Sequence, residues 1–145
     1  MSTTTHVSSL DATVHTTNAW LGRLSELLNE DPEACYAALR GTLHTLRDAL
    51  TPDEAVDLGA QLPMLVRGVY ITGWRPSDTP IRFDRRRFLE SIRRAGALQG
   101  DRPDPVAAAR GTMEVLREHI TAGQLDHALG QLPAEVRDLL EPETS

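Results

Sequence analysis

Residues 38–50 read Ala-Leu-Arg-Gly-Thr-Leu-His-Thr-Leu-Arg-Asp-Ala-Leu, and residues 61–67 read Gln-Leu-Pro-Met-Leu-Val-Arg. Both patterns return in recognisable form in the second half of the chain. Aligning residues 38–70 with residues 108–140 needs no gap and makes 12 of the 33 pairs identical. Chance would give roughly two identical pairs at this composition, so the alignment predicts a structural duplication.

Apolar residues in both copies recur at helical spacing. The stripe of the first copy is Tyr36, Leu39, Leu43, Leu46 and Leu50. The stripe of the second copy is Val106, Ala109, Met113, Leu116 and Ile120. Because glycine inside a helix costs about 1 kcal/mol relative to alanine, the equivalent Gly41 and Gly111 indicate close helix crossings.

Signals for helix ends divide each copy further. Residues 51–54 (Thr-Pro-Asp-Glu) form a capping box, in which the Thr oxygen accepts the Glu54 amide and the Glu54 side chain reaches back. Residues 121–124 are expected to do the same in the second copy. Pro63 and Pro133 each suit the first turn of a new helix and predict a sharp corner. The resulting helices span residues 18–29, 32–49, 52–61, 63–72, 84–96, 104–119, 122–131 and 133–140.

These patterns predict an all-α fold, a helical bundle of two pseudo-symmetric repeats with about four helices each. The 145 residues fit one domain. We assign residues 18–145 to it, with repeat one at 18–73, a linker at 74–83 and repeat two at 84–140. Residues 1–17 are rich in Ser and Thr, and they form either a mobile arm or a weak extension of the first helix; we favour the arm.

Composition excludes several classes of protein. No apolar stretch approaches the roughly 20 residues of a membrane helix, and residues 1–5 lack the basic and apolar pattern of a signal peptide. The single cysteine, Cys35, cannot form an internal disulfide. We therefore expect a cytoplasmic protein that neither spans nor binds a membrane.

The repeated motifs are similar to those of a known family. Residues 38–50, residues 61–70 and the pair Gly73-Trp74 resemble the bacterial family called domain of unknown function 2267. Residues 119–121 and 131–137 are similar to the closing motif of that family, and the resemblance covers about residues 18–140. It implies an all-helical cytoplasmic domain with no assigned activity, cofactor or catalytic residue.

Function is expected where the two copies differ, and one difference lies at residues 64–74. This helix is apolar on nearly every side, whereas the second copy has polar residues at several equivalent positions. Such a helix must be covered all round. Either the other repeat buries it centrally, or part of it forms a surface for a protein partner, a ligand or self-association. The residues of that surface would be Met64, Tyr70, Trp74 and Arg75.

The other difference is the arginine-rich segment 82–94. Net charge is -6 overall, but residues 74–100 carry seven Arg against three acids. Asp84 is predicted to cap a helix whose first turn is Arg85, Arg86 and Arg87, and cations there could create an anion site at the helix start. The alternative is that the acidic flanks neutralise the segment. The candidate anion-binding residues are Arg82, Arg85, Arg86, Arg87, Arg93 and Arg94.

No catalytic or metal-binding motif appears. The five histidines lack the spacing that would place two of them together on a helix face, and Cys35 is expected to be a buried thiol. We predict a non-catalytic helical interaction or regulatory module, without metal or cofactor. Nucleic-acid or phosphate-ligand binding through the arginines is the alternative. An enzyme of unknown type is third, and it depends on whether His44 meets an acid in an open cleft.

Overall fold

A computed structural model describes residues 5–100 and 102–142. Within these ranges the chain forms eight α-helices and no strand, which confirms the all-α class. A single 3-10 turn, Pro76–Asp78, lies between the fourth and fifth helices. The helices are α1 (Ser8–Leu28), α2 (Pro32–Ala49), α3 (Pro52–Gly59), α4 (Met64–Ile71), α5 (Arg85–Gly96), α6 (Pro105–His119), α7 (Ala122–Leu129) and α8 (Ala134–Leu140).

Side-chain caps explain why several helices begin where they do. Asp31, Asp84 and Asp104 each accept a hydrogen bond from the backbone amide three residues on, at 2.7–2.8 Å. These bonds satisfy amides that have no partner inside the helix. Thr51 caps α3 as predicted, accepting from the Glu54 amide at 3.4 Å. Thr121 makes no such side-chain bond at α7, so that part of the prediction is wrong.

The first helix begins ten residues before the predicted start at residue 18. Residues 8–17, which we had assigned to a mobile arm, are the opening turns of α1, while residues 1–4 lie outside the described residues. Two contacts offset the weak helix propensity of this stretch. The Asp11 carboxylate accepts from the Thr5 amide at 2.6 Å, and the Thr13 hydroxyl accepts from the Leu65 amide at 2.9 Å.

The core is built around α2 and α6, which pack against each other. Helix α2 also contacts α1, α4 and α5, and helix α6 also contacts α1, α5, α7 and α8. The largest fully buried side chains are Trp20, Tyr70 and Phe88, each from one of the surrounding helices. Phe83 lies edge-on to Phe88 with ring centroids 5.6 Å apart, which fixes the entry of the chain into α5.

Several structural features recur at equivalent positions of the two aligned copies. Helices α3 and α7 begin and end at equivalent positions, and so do the ends of α2 and α6. The guanidinium of Arg47 donates to the Tyr70 carbonyl, and that of Arg117 donates to the Leu140 carbonyl. Both bonds tie a central helix to the end of the last helix in its half of the chain.

Helices α2 and α5 cross in direct backbone contact at Gly41. A Cβ atom added at Gly41 would lie 2.4 Å from the Ile92 carbonyl oxygen and 2.9 Å from the Gly96 nitrogen. At Gly111 the nearest atom to an added Cβ is the Leu28 Cδ2, at 2.9 Å, the far end of a flexible side chain. The expected close backbone crossing is therefore present at Gly41, whereas Gly111 meets only a side chain.

We expect Gly41→Ala to lower the free energy of unfolding by about 3 kcal/mol, because two helix backbones must separate to admit the methyl group. Gly111→Ala should change it by no more than about 1 kcal/mol, because the alanine gains helix propensity and Leu28 can shift. Urea denaturation of both variants and the wild type measures the difference. Equal destabilisation by the two substitutions would contradict the backbone contact at Gly41.

Candidate functional site

Helix α4 is covered on one side only. Val66 and Tyr70 are buried against the core, but Met64, Leu65 and Ile71 are 53%, 42% and 46% exposed. The alternative of central burial is therefore wrong, because an eight-residue helix presents only one face to the core. The equivalent positions of the second copy carry polar or small side chains, namely Ala134, Glu135 and Glu141.

The four residues predicted to form a partner surface divide between surface and core. Met64 and Arg75 are exposed, and Arg75 pairs with Asp78 at 3.4 Å. Tyr70 is 1% exposed and donates to the Ala55 carbonyl at 2.8 Å, so it is a core residue and its inclusion in the surface is wrong. Trp74 is half-buried against the core. Burial also raises the pKa of Tyr70, which keeps its hydroxyl a donor.

The start of α1 extends the apolar surface of α4. The hydrogen bond between the Leu65 amide and the Thr13 hydroxyl holds the two helices side by side. Val7 and Leu10, which precede Thr13 by two turns and one turn, are both largely exposed. Neither residue was predicted as part of a surface, because the Ser- and Thr-rich composition of residues 1–17 favours a mobile arm. We call this surface the apolar face: Val7, Leu10, Met64, Leu65 and Ile71.

Charged side chains beside the apolar face are already bonded within the fold. The Asp11 carboxylate accepts from the amide and the hydroxyl of Thr5. The guanidinium of Arg67 donates to the carbonyls of Gly59, Ala60 and Leu62. These bonds hold both side chains in place, and because every partner is neutral, one negative and one positive charge remain beside the face.

The arginine segment presents side chains to solvent, but the helix start itself is occupied. Two carboxylates of the protein bind the first amides of α5: Asp84 accepts from the Arg87 amide and Glu135 from the Arg85 amide, each at 2.7 Å. An external anion would have to displace them, so the predicted anion site at the helix start is wrong.

The arginine side chains themselves form an exposed basic strip along α5. Arg86 lies 3.8 Å from Glu90, and Arg93 donates to the Gly100 carbonyl at 3.0 Å. Within the described ranges, the other four guanidinium groups have neither an ion pair nor a hydrogen bond: Arg82, Arg85, Arg87 and Arg94. The expected neutralisation by the acidic flanks is therefore not seen at these side chains, and the basic strip comprises all six arginines.

A groove between α3 and α7 contains a pair that the sequence analysis did not identify. Glu54, buried at 6% exposure, lies with a carboxylate oxygen 2.9 Å from Nδ1 of the exposed His127. Gln131 also donates to this carboxylate, at 3.4 Å. The Glu54 side chain thus bonds to His127 of α7, and not to the backbone amide of Thr51 as the capping box predicts. The groove has a volume of about 420 Å³.

The family comparison agrees with the sequence motifs. The family model described as an uncharacterized conserved protein, domain of unknown function 2267 (DUF2267), matches residues 6–139. The chain belongs to the DUF2267 family. The match to this family begins at residue 6, well before the predicted domain start at residue 18. No curated protein matches the chain significantly.

Membership of the DUF2267 family assigns no reaction or ligand, so chemistry must be sought in the structure. The ring nitrogen Nε2 of His44 lies 2.6 Å from the Val69 carbonyl oxygen, and burial lowers the pKa of this histidine. It is therefore bonded to a backbone carbonyl rather than to an acid. Cys35 is buried, as expected, and burial raises its pKa.

Within the described residues, no three side chains of His, Cys, Asp and Glu come together in a group able to hold a metal ion. No helix in the same part of the chain is long and apolar enough to cross a membrane.

The Glu54 carboxylate raises the pKa of His127, so the protonated imidazole is favoured in the folded state. A raised pKa stabilises the fold below about pH 6.5, and this contribution is lost as the pH rises through the folded pKa. We expect the stability difference between the wild type and His127→Gln to be larger at pH 5.5 than at pH 8.5. Urea denaturation at both pH values measures it.

A proton NMR titration provides the control for this expectation. In Glu54→Gln the pKa of His127 should fall back toward its ordinary value, because the neutral amide no longer favours the imidazolium ion. An unchanged His127 titration in this variant would show that Glu54 is not the cause of the shift.

Proposed function

We propose that this DUF2267 chain is a non-catalytic protein-binding module whose binding surface is the apolar face. The observation that carries the proposal is the exposure of five large apolar side chains, one just before α1 and four on the adjacent helices α1 and α4. Covering an exposed apolar patch with a partner removes apolar surface from water and lowers the free energy of the system. Such patches therefore mark interaction sites. The bacterial cytoplasm is the compartment we propose, since the lone buried Cys35 suits a reducing environment.

The proposed absence of catalysis rests on how the titratable groups are used. A general base needs a free ring nitrogen beside a reacting group. His44 is bonded to a carbonyl, whereas His127 has a carboxylate at one nitrogen and an open groove beside it. That groove is lined by carboxylates, amides and apolar groups, with no Ser, Thr or Cys side chain to serve as nucleophile. Binding is therefore better supported than catalysis as the function of this chain.

We also propose that the fold arose by duplication and holds two pseudo-symmetric repeats. Exchanging α1 with α5, α2 with α6, α3 with α7 and α4 with α8 maps the main helix contacts onto one another. For example, the contact of α1 with α4 corresponds to that of α5 with α8. In this arrangement the exposed apolar residues of α4 correspond to small or acidic residues, Ala134, Glu135 and Glu141, so only one of the two repeats carries the binding surface.

Site-specific photo-crosslinking in the host cell tests the binding surface. A benzophenone amino acid at Met64 should give a covalent adduct with a defined protein, because that side chain projects from the apolar face. The same group at Leu27, an exposed residue near the far end of α1, is the matched control. Adducts are separated by mass and identified by mass spectrometry. Absence of any adduct specific to position 64 would overturn the proposed function.

Nucleic-acid binding through the basic strip is a second candidate function. The observation that favours it is that four of the six guanidinium groups have neither an ion pair nor a hydrogen bond in the described part of the chain. Arginine binds phosphate oxygens through two parallel hydrogen bonds, so an exposed row of such groups suits a phosphate backbone. Two features weaken the case for nucleic-acid binding: the net negative charge of the chain, and Glu90 at the centre of the basic strip.

Binding of short single- and double-stranded oligonucleotides tests this candidate. Arg86→Glu should lose affinity, and Arg86→Glu with Arg93→Glu should lose most of it. Arg75→Glu is the matched control, because Arg75 is as exposed as Arg86 and also pairs with one acid. Three to four phosphate contacts predict binding roughly 20- to 150-fold weaker at about 200 mM than at about 50 mM salt. Equal losses of oligonucleotide affinity in Arg86→Glu and Arg75→Glu would exclude the basic strip as the binding site.

A further inference from the structure

We propose that the partner of the apolar face is a second copy of this chain, so that the protein forms a two-fold symmetric dimer through α1 and α4. This inference rests on the proposed function and names the partner of the same surface. Three observations support it: the sparse packing at the start of α1, the spacing of its apolar residues, and the charges around the face.

The opening turns of α1 have little to pack against within one chain. Trp20 is the first buried residue of the helix, and none of residues 8–19 is buried. Helix α5 begins only three residues before its first buried residue, Phe88, whereas α1 begins twelve residues before Trp20. Helical segments this short are marginal in water without tertiary packing. A partner that covers residues 8–19 would supply the missing contacts.

Apolar residues on this segment have the spacing used in helix association. Leu10 and Val14 are four positions apart, which aligns them along one side of α1, and Val7 immediately precedes the helix. Leu10 is largely exposed and Val14 is half-buried. The stripe passes beside Thr13, whose hydroxyl contacts the start of α4. Two such helix pairs can therefore meet with apolar side chains on both sides of the contact.

The charges favour a copy of the same chain over a charged partner. The chain has a net charge of -6, and most faces of two copies would repel each other. Asp11 and Arg67, the charged groups described beside the apolar face, are hydrogen-bonded to neutral groups and keep opposite charges. A two-fold contact can bring the carboxylate of one copy toward the guanidinium of the other, so the two copies avoid like-charge repulsion at this face.

The size of the face sets the expected strength of the dimer. Residues 8–19 span about 18 Å at the helical rise, and two adjacent helices are about 20 Å wide. This surface is smaller than the roughly 800 Å² per partner of a standard stable interface. We therefore expect a reversible dimer with a dissociation constant in the micromolar range.

Sedimentation velocity over a range of protein concentrations tests the dimer. The wild type should shift from monomer to dimer as its concentration rises. Leu10→Glu with Leu65→Glu should weaken the association at least about 100-fold, because two buried charges would face each other in the contact. Leu27→Glu is the matched control: Leu27 is similarly exposed on the same helix, about 25 Å from Leu10. It should dimerise like the wild type.

Hydrogen exchange locates the contact independently of substitutions. Amides of residues 8–16 should be protected more strongly at high than at low protein concentration, whereas those of α5 should not change. A wild type that remains monomeric at millimolar concentration would overturn the dimer, as would a dimer that Leu10→Glu with Leu65→Glu leaves intact. Circular dichroism of each variant confirms that the helices are retained.

These outcomes separate the dimer from the proposed function. A monomeric wild type together with a specific adduct to a different protein at position 64 would overturn the dimer and leave the binding module standing. A monomeric wild type without any such adduct would overturn both. An adduct at twice the mass of the chain, abolished by Leu10→Glu, would support both.

Discussion

The backbone contact between α2 and α5 at Gly41 constrains the rest of the molecule. Because the atoms facing each other are a glycine Cα, a carbonyl and a backbone nitrogen, no rotamer change can relieve a larger side chain there. Polar bonds continue along the same crossing. Arg40 donates to the carbonyls of Ala95 and Gly96 at the end of α5, and the hydroxyls of Thr45 and Ser91 lie 2.8 Å apart. The buried side of α5 is thereby fixed.

Fixing α2 in this way determines which surfaces remain open. With α5 and α6 against α2, the short α4 needs only Val66 and Tyr70 to complete the core on its side. Its other apolar residues then face outward, beside the start of α1. The crossing with α2 also determines which side of α5 is buried, so the arginines of α5 lie on its solvent-exposed side. The apolar face and the basic strip are both consequences of how tightly the central helices pack.

The sequence predicted the helices from residue 32 onward to within two residues, because apolar spacing and capping residues indicated the same ends. Its errors share a physical cause. The start of α1 depends on a bond between Thr13 and Leu65, and the Glu54–His127 pair joins residues 73 positions apart. Neither contact leaves a local pattern. Tyr70 was misplaced for the same reason, since its hydroxyl partner is a backbone carbonyl on another helix.

Equivalent positions of the two aligned sequence copies carry different surfaces. In the first half the Thr13 side chain binds the backbone amide of Leu65, at the start of α4. The Leu65 side chain takes no part in this bond, and it is apolar and exposed. In the second half the equivalent Glu135 uses its own side chain to bind the Arg85 amide at the start of α5. An acid there offsets the unfavourable interaction between the arginines and the positive end of the helix dipole. The same place in each half thus stabilises a helix terminus, and only the first half leaves an apolar surface.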